Sequence, residues 1–203
     1  MTTAKDLFIL AMERQVNQSV GQGDLSLALA GAELIDLIGA HTVTLEGDRI
    51  VPEPQQSPSA DDPFLGEAAE SLARHVPYER VEEWLWRRGS DLAGNYQAAL
   101  EKEGQLAPRR GGLSPFGAAR LELVDSPARR HALSRWEAAE PVLVALASVV
   151  GIEGEPSEDE PRLDDDAVTT VLAVVNDAVM ELEAVRQRRS IENSAFANLW
   201  RGP

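Results

Sequence analysis

Apolar residues recur three and four positions apart over residues 5–15, where Leu7, Leu10 and Ala11 share one face and predict a short first helix. Residues 17–23 are polar and glycine-containing and read as a loop. Asp24 then stands where an N-cap belongs, and residues 25–38 predict a helix with Gly39 just past its end. Leu25, Leu27, Leu29, Leu34, Ile35, Leu37 and Ile38 leave this helix little polar surface, which places it at the centre of the fold. The period changes at Thr42. Residues 42–45 and 49–51 alternate on either side of Glu46, Gly47 and Asp48, the pattern of a β-hairpin. Pro52 and Pro54 end it, and residues 52–60 carry too many prolines for a helix.

Asp62-Pro63 opens the next helix, as an N-cap followed by proline at the first helical position, and the pattern carries it to about His75. A helix after Pro77 has Val81, Trp84 and Leu85 as its buried stripe, and another spans residues 91–103 until Gly104 stops it. Gly111-Gly112 lies between two short apolar runs in residues 105–123, predicting a second hairpin or a long β-turn loop. Helices follow from Asp125-Ser126-Pro127 through Trp136 and from Pro141 to Gly151. The run 153–166 is strongly acidic and reads as a solvated, mobile loop. Asp164 or Asp165 caps a helix whose apolar first half is core, and a last helix over residues 191–200 carries Ile191, Phe196, Leu199 and Trp200. The expected fold is mainly α: a single globular helical domain over residues 1–203 with two small β-hairpins.

Composition narrows the function classes. An apolar content of 43% supports a real core. The absence of cysteine excludes disulfides, thiolate chemistry and cysteine-based zinc sites. A net charge of −15 argues against nucleic acid as the partner and against broad attraction to anionic membranes, leaving only a local basic patch to act there. The first fifteen residues do not read as a signal peptide, and no stretch is long enough to span a bilayer, so a cytoplasmic protein is expected. Lysine occurs only at Lys5 and Lys102, a bias that points to a high-GC bacterial genome.

Candidate chemistry is sparse. His41, His75 and His131 share no spacing, and no HExxH motif or serine elbow is present, so no catalytic, metal or cofactor site is expected. Glu33 and Asp36, three apart on the central helix, have the spacing for a cation or a shared proton. The plainer expectation is that one meets an arginine and the other caps a loop. Four arginine pairs stand out: Arg87-Arg88, Arg109-Arg110, Arg129-Arg130 and Arg188-Arg189. Guanidinium forks bind phosphate bidentately, although in an acidic protein they more often serve internal ion pairs. Arg109 and Arg110 precede Leu113 and Phe116, a combination suited to a loop that dips into a bilayer interface.

The order of elements resembles the Golgi phosphoprotein 3 family. The matching stretches are LALAGAELIDL (27–37), VTLEGDRIV (43–51), DDPFLGEAAESL (61–72), YQAALEKEGQL (96–106) and DSPARRHAL (125–133). The resemblance implies a predominantly helical domain with β-hairpins. It also implies a peripheral membrane adaptor that binds phosphatidylinositol 4-phosphate and has no enzymatic activity. Aligned on those stretches, the family's lipid-site tryptophan falls at Gly21 and its arginines at Ala30, Ser90 and Ala93, and none of these residues can stack on or neutralise a headgroup. Arg87 and Arg88 are the nearby substitutes, with Arg109 and Arg110 as further anion-binding candidates and Leu113 and Phe116 as the membrane-contact loop. Two functions are therefore expected. One is an anionic phospholipid or phosphoinositide binder at the inner face of the membrane. The other is an adaptor that has lost lipid binding and takes a basic protein segment on its acidic surface.

Overall fold

The computed structural model describes residues 2–14, 20–53, 62–108, 121–152 and 165–200, with side chains in the last helix through residue 193. Its helices are α1 (Thr3–Arg14), α2 (Gln22–Gly39), α3 (Pro63–Glu70), α4 (Val81–Arg88), α5 (Leu92–Lys102), α6 (Pro127–Glu137), α7 (Pro141–Val149) and α8 (Asp166–Trp200). Two antiparallel pairs complete it: β1 (Val43–Glu46) with β2 (Arg49–Pro52), and β3 (Leu106–Pro108) with β4 (Leu121–Leu123). The described chain is thus mainly helical with two small hairpins.

The nearly all-apolar helix is central. α2 packs against α1, α3, α4, α5, α7 and α8, and its residues from Leu27 to Leu34 are buried. One buried cluster draws side chains from all eight helices, including Phe8, Leu29, Trp84, Tyr96, Ala132, Leu146 and Val175. Burying apolar area of this kind supplies the main folding drive, about 25 cal/mol per Å². Elements at the chain's ends are held against one another through α2.

Local signals set most boundaries. Asp62 Oδ1 accepts from the N–H groups of Phe64 and Leu65 at 3.0 and 3.4 Å, with Pro63 at the first helical position. Ser126 Oγ accepts from Arg129 N at 3.1 Å at the start of α6, and Asp165 Oδ1 from Ala167 N at 2.8 Å at the start of α8. In the first hairpin Glu46 pairs with Arg49 across the two-residue turn, and Gly47 there has φ of +63°. A residue with a Cβ is strained in that conformation.

Three expectations need correction. α3 stops at Glu70 rather than near His75. Ser71 Oγ folds back to donate to the Ala68 carbonyl at 2.9 Å, and Arg87 Nη2 donates to the Ser71 carbonyl at 3.2 Å, so the helix end is satisfied early. α2 begins at Gln22, with Gly21 and not Asp24 at the N-cap. The two helices expected near the C-terminus are one continuous α8, since no glycine or proline interrupts residues 166–200. The run 153–164 and the turn of the second hairpin lie outside the described residues.

Candidate functional site

Adjacent residues on a helix point about 100° apart. That geometry separates Arg87 from Arg88 at the end of α4. Arg87 forks onto Glu79, with Nε and Nη2 each donating at 2.7 Å, and its guanidinium lies 5.2 Å from the Trp84 ring centroid. Arg88 turns inward instead. Its Nε and Nη2 donate to Glu33 at 2.7 and 3.1 Å, and Nη2 also donates to the Phe64 carbonyl at 3.3 Å. The two arginines therefore do not converge on a common anion position. Arg109, Arg110, Leu113 and Phe116 lie outside the described residues.

Glu33 is 1% exposed and is also the acceptor for the Tyr96 hydroxyl at 3.1 Å. Burial raises its carboxyl above the ordinary 4.5 even with Arg88 in contact, and burial followed by the Glu33 charge pushes Tyr96 well up. Asp36, one turn further along α2, accepts from the N–H groups of Thr3 and Ala4 at 3.1 and 3.2 Å and so caps α1. Burial raises its carboxyl above the ordinary 3.8, and the Thr3 and Ala4 bonds only partly offset this. The plainer reading holds for Glu33, which meets an arginine, whereas Asp36 caps the start of a helix rather than the loop expected. Among the described residues no group of three or more His, Asp or Glu side chains is placed to hold a metal ion.

A pH dependence follows. A carboxyl whose pKa is higher in the folded chain than in the unfolded one holds its proton more tightly when native. Stability from Asp36 and Glu33 is then fully present below their ordinary values of 3.8 and 4.5, and is lost as pH rises through the raised ones. In urea unfolding, Asp36→Asn should lose less stability than the parent chain as pH rises above the ordinary carboxyl value of 3.8. Identical pH slopes would contradict the assignment.

The four positions that the resemblance assigns to the lipid site are distributed as follows. Ala30 is wholly buried, and its carbonyl accepts from Trp84 Nε1 at 3.0 Å. Ala93 is buried at the start of α5, where its N–H donates to Ser26 Oγ at 3.0 Å. Ser90 is exposed just before α5, and Gly21 is half-buried at the N-cap of α2.

At that N-cap lies a residue the sequence did not single out. Arg186 of α8 donates from Nη1 to both carboxylate oxygens of Asp24, at 2.8 and 2.7 Å. A Cβ at Gly21 would collide with the Asp24 carboxylate and stand 3.3 Å from Arg186 Nη1, and one at Gly23 would stand 2.9 Å from Arg186 Nη2. Glycine at these two positions lets the guanidinium approach the first turn of α2. That turn exposes backbone N–H groups with no side-chain cap and carries the positive end of the helix dipole. No local signal could have found this site, because Asp24 and Arg186 are 162 residues apart.

The other arginine pairs differ in kind. Arg129 forks onto Glu13 at 2.9 and 2.7 Å, and Arg130 donates from Nη1 alone to both carboxylate oxygens of Asp125 at 2.9 and 2.8 Å. Arg188 and Arg189 are exposed on α8 and meet no carboxylate among the described residues. Among the described residues no helix is long and apolar enough to cross a membrane.

Comparison with curated proteins and with solved structures returns no match. The family model for Golgi phosphoprotein 3 (GPP34) matches residues 4–190, nearly the whole chain, and it takes in every element just described except the last turns of α8. The chain belongs to the Golgi phosphoprotein 3 (GPP34) family.

Proposed function

We propose that the chain is a non-enzymatic peripheral membrane protein that holds the phosphorylated headgroup of an anionic phospholipid, of the phosphatidylinositol 4-phosphate class that the family resemblance implies. One observation carries this reading: Arg186 stands against Gly21 and Gly23 at the uncapped first turn of α2, where the resemblance puts the family's headgroup-binding tryptophan. A guanidinium beside free backbone N–H groups suits a phosphate. Asp24 is the ion-pair partner of Arg186, so a headgroup binds by displacing that carboxylate. Arg109 and Arg110, with Leu113 and Phe116 at the bilayer, remain part of the proposal as the second hairpin's contribution. We assign Arg87 and Arg88 to the fold, since both are committed to carboxylates.

That commitment favours the second reading, an adaptor that binds a basic protein segment without lipid. Vesicle sedimentation separates the two. The lipid reading expects the protein to pellet with vesicles containing phosphatidylinositol 4-phosphate or phosphatidylglycerol, less so as salt rises, and not with phosphatidylcholine alone. If no anionic vesicle retains it at any salt concentration, the lipid reading falls and the adaptor reading stands.

A further inference from the structure

The inward stripe of α8 runs through Val171, Val175, Ala178 and Leu182 and is packed against the body. At about 100° per residue, the opposite face of the helix carries Met180, Ala184, Gln187 and Ile191, spaced four, three and four apart. All four are exposed, Met180 by 64% and Ile191 by 70%. Two large apolar side chains thus stand within about 20° of each other round the helix, three turns apart, and point away from the core.

The charges beside this stripe identify what covers it. Glu181 and Arg188 flank it on the same side, and both are exposed. Among the described residues neither has an ion-pair or hydrogen-bond partner. They stand about 10 Å apart along the helix, too far to pair within one chain. A second copy lying antiparallel across the stripe supplies both partners. A two-fold axis perpendicular to the helix, passing between Ala184 and Val185, sets Glu181 of each copy opposite Arg188 of the other. The same operation brings Met180 of each copy beside Ile191 of the other, with the small Ala184 at the centre allowing close approach. A parallel arrangement would instead set Asp177, Glu181 and Glu183 against the same acidic residues, and Arg188 and Arg189 against the same arginines. We infer that the exposed face of α8 from Met180 to Ile191 is a self-complementary interface, through which two copies of this chain pair antiparallel. The overlap is about 17 Å long, short of a standard interface, so the dimer is weak and reversible. Arg186 lies about 120° round the helix from Met180, so pairing leaves its contact with Asp24 in place and the inference stands apart from the lipid reading.

Sedimentation equilibrium of the full chain without lipid tests this. The mass is expected to rise from monomer towards dimer between about 1 and 500 μM protein. Glu181→Arg and Arg188→Glu should each associate about tenfold more weakly, because each sets like charges opposite one another twice. An equimolar mixture of the two variants should associate as the parent chain does, since every facing pair in the mixed dimer is again of opposite charge. Circular dichroism checks that both variants remain folded. A role for either residue only within the monomer predicts no recovery on mixing. The inference is overturned if the parent chain stays monomeric at the highest concentration, if the single variants associate as well as the parent, or if mixing them restores nothing.

Discussion

Replacing Glu33 with alanine is expected to lower the unfolding free energy by about 3–5 kcal/mol, the usual effect of removing one partner from a buried ion pair. The cause is what remains behind. Arg88 has a side chain only 14% exposed, and it loses both short bonds to Glu33. Tyr96, 1% exposed, loses the acceptor for its hydroxyl. At this chain length the drop corresponds to a fall in Tm on the order of 10 °C. The same physics makes a second, less intuitive forecast. Burial raises the Glu33 carboxyl above its ordinary value, so the ionised pair is not itself a strong source of stability. The double variant Glu33→Leu, Arg88→Met should therefore recover most of the loss in urea unfolding. A double variant no more stable than Glu33→Ala would show that the pair contributes more than the desolvation argument allows.

Trp84→Ala is expected to cost about as much, roughly 3–5 kcal/mol, for a different reason. Trp84 is 0% exposed on α4, which packs on both α2 and α8. Truncation opens a cavity between these helices, removes the Nε1 bond to the Ala30 carbonyl at 3.0 Å, and takes away the ring beneath Arg87. Trp84→Phe keeps most of the apolar volume and loses the hydrogen bond, so it should cost about 1–2 kcal/mol. Comparable losses for the two variants, measured by chemical denaturation, would mean that the hydrogen bond and not the packing dominates. Because α8 carries Arg186 to the first turn of α2, Trp84→Ala should also weaken vesicle binding if the lipid reading holds.

The fold was legible wherever a signal is local. Asp62-Pro63 and Ser126-Pro127 start helices because a side-chain oxygen and a proline act within three residues of each other. Gly47 marks its hairpin, and Val81, Trp84 and Leu85 are the buried stripe of α4 as their spacing requires. The order of elements carried the family. What was not legible depends on partners far away in sequence. Asp24 looks like an N-cap, yet its carboxylate is taken by Arg186, and the helix starts earlier, at Gln22. The pattern of residues 63–75 allows a longer α3, but the carbonyl of Ser71 is claimed by Arg87, which lies beyond the next loop. Arg87 and Arg88 are adjacent in sequence, and only the three-dimensional positions of Glu79 and Glu33 show that they diverge. A period or a cap motif reports which face is buried. It does not report which charge meets which.

On the lipid reading, Arg186 is the headgroup-binding cation and Asp24 restrains it. The most direct measurement is the affinity of Asp24→Asn and Arg186→Ala for vesicles containing phosphatidylinositol 4-phosphate, beside the parent chain. Releasing a partly exposed arginine from its carboxylate is worth up to about 1 kcal/mol, so Asp24→Asn should bind up to about fivefold more tightly, and Arg186→Ala clearly more weakly. If Asp24→Asn binds no better and Arg186→Ala no worse, the first turn of α2 is not where this chain meets lipid.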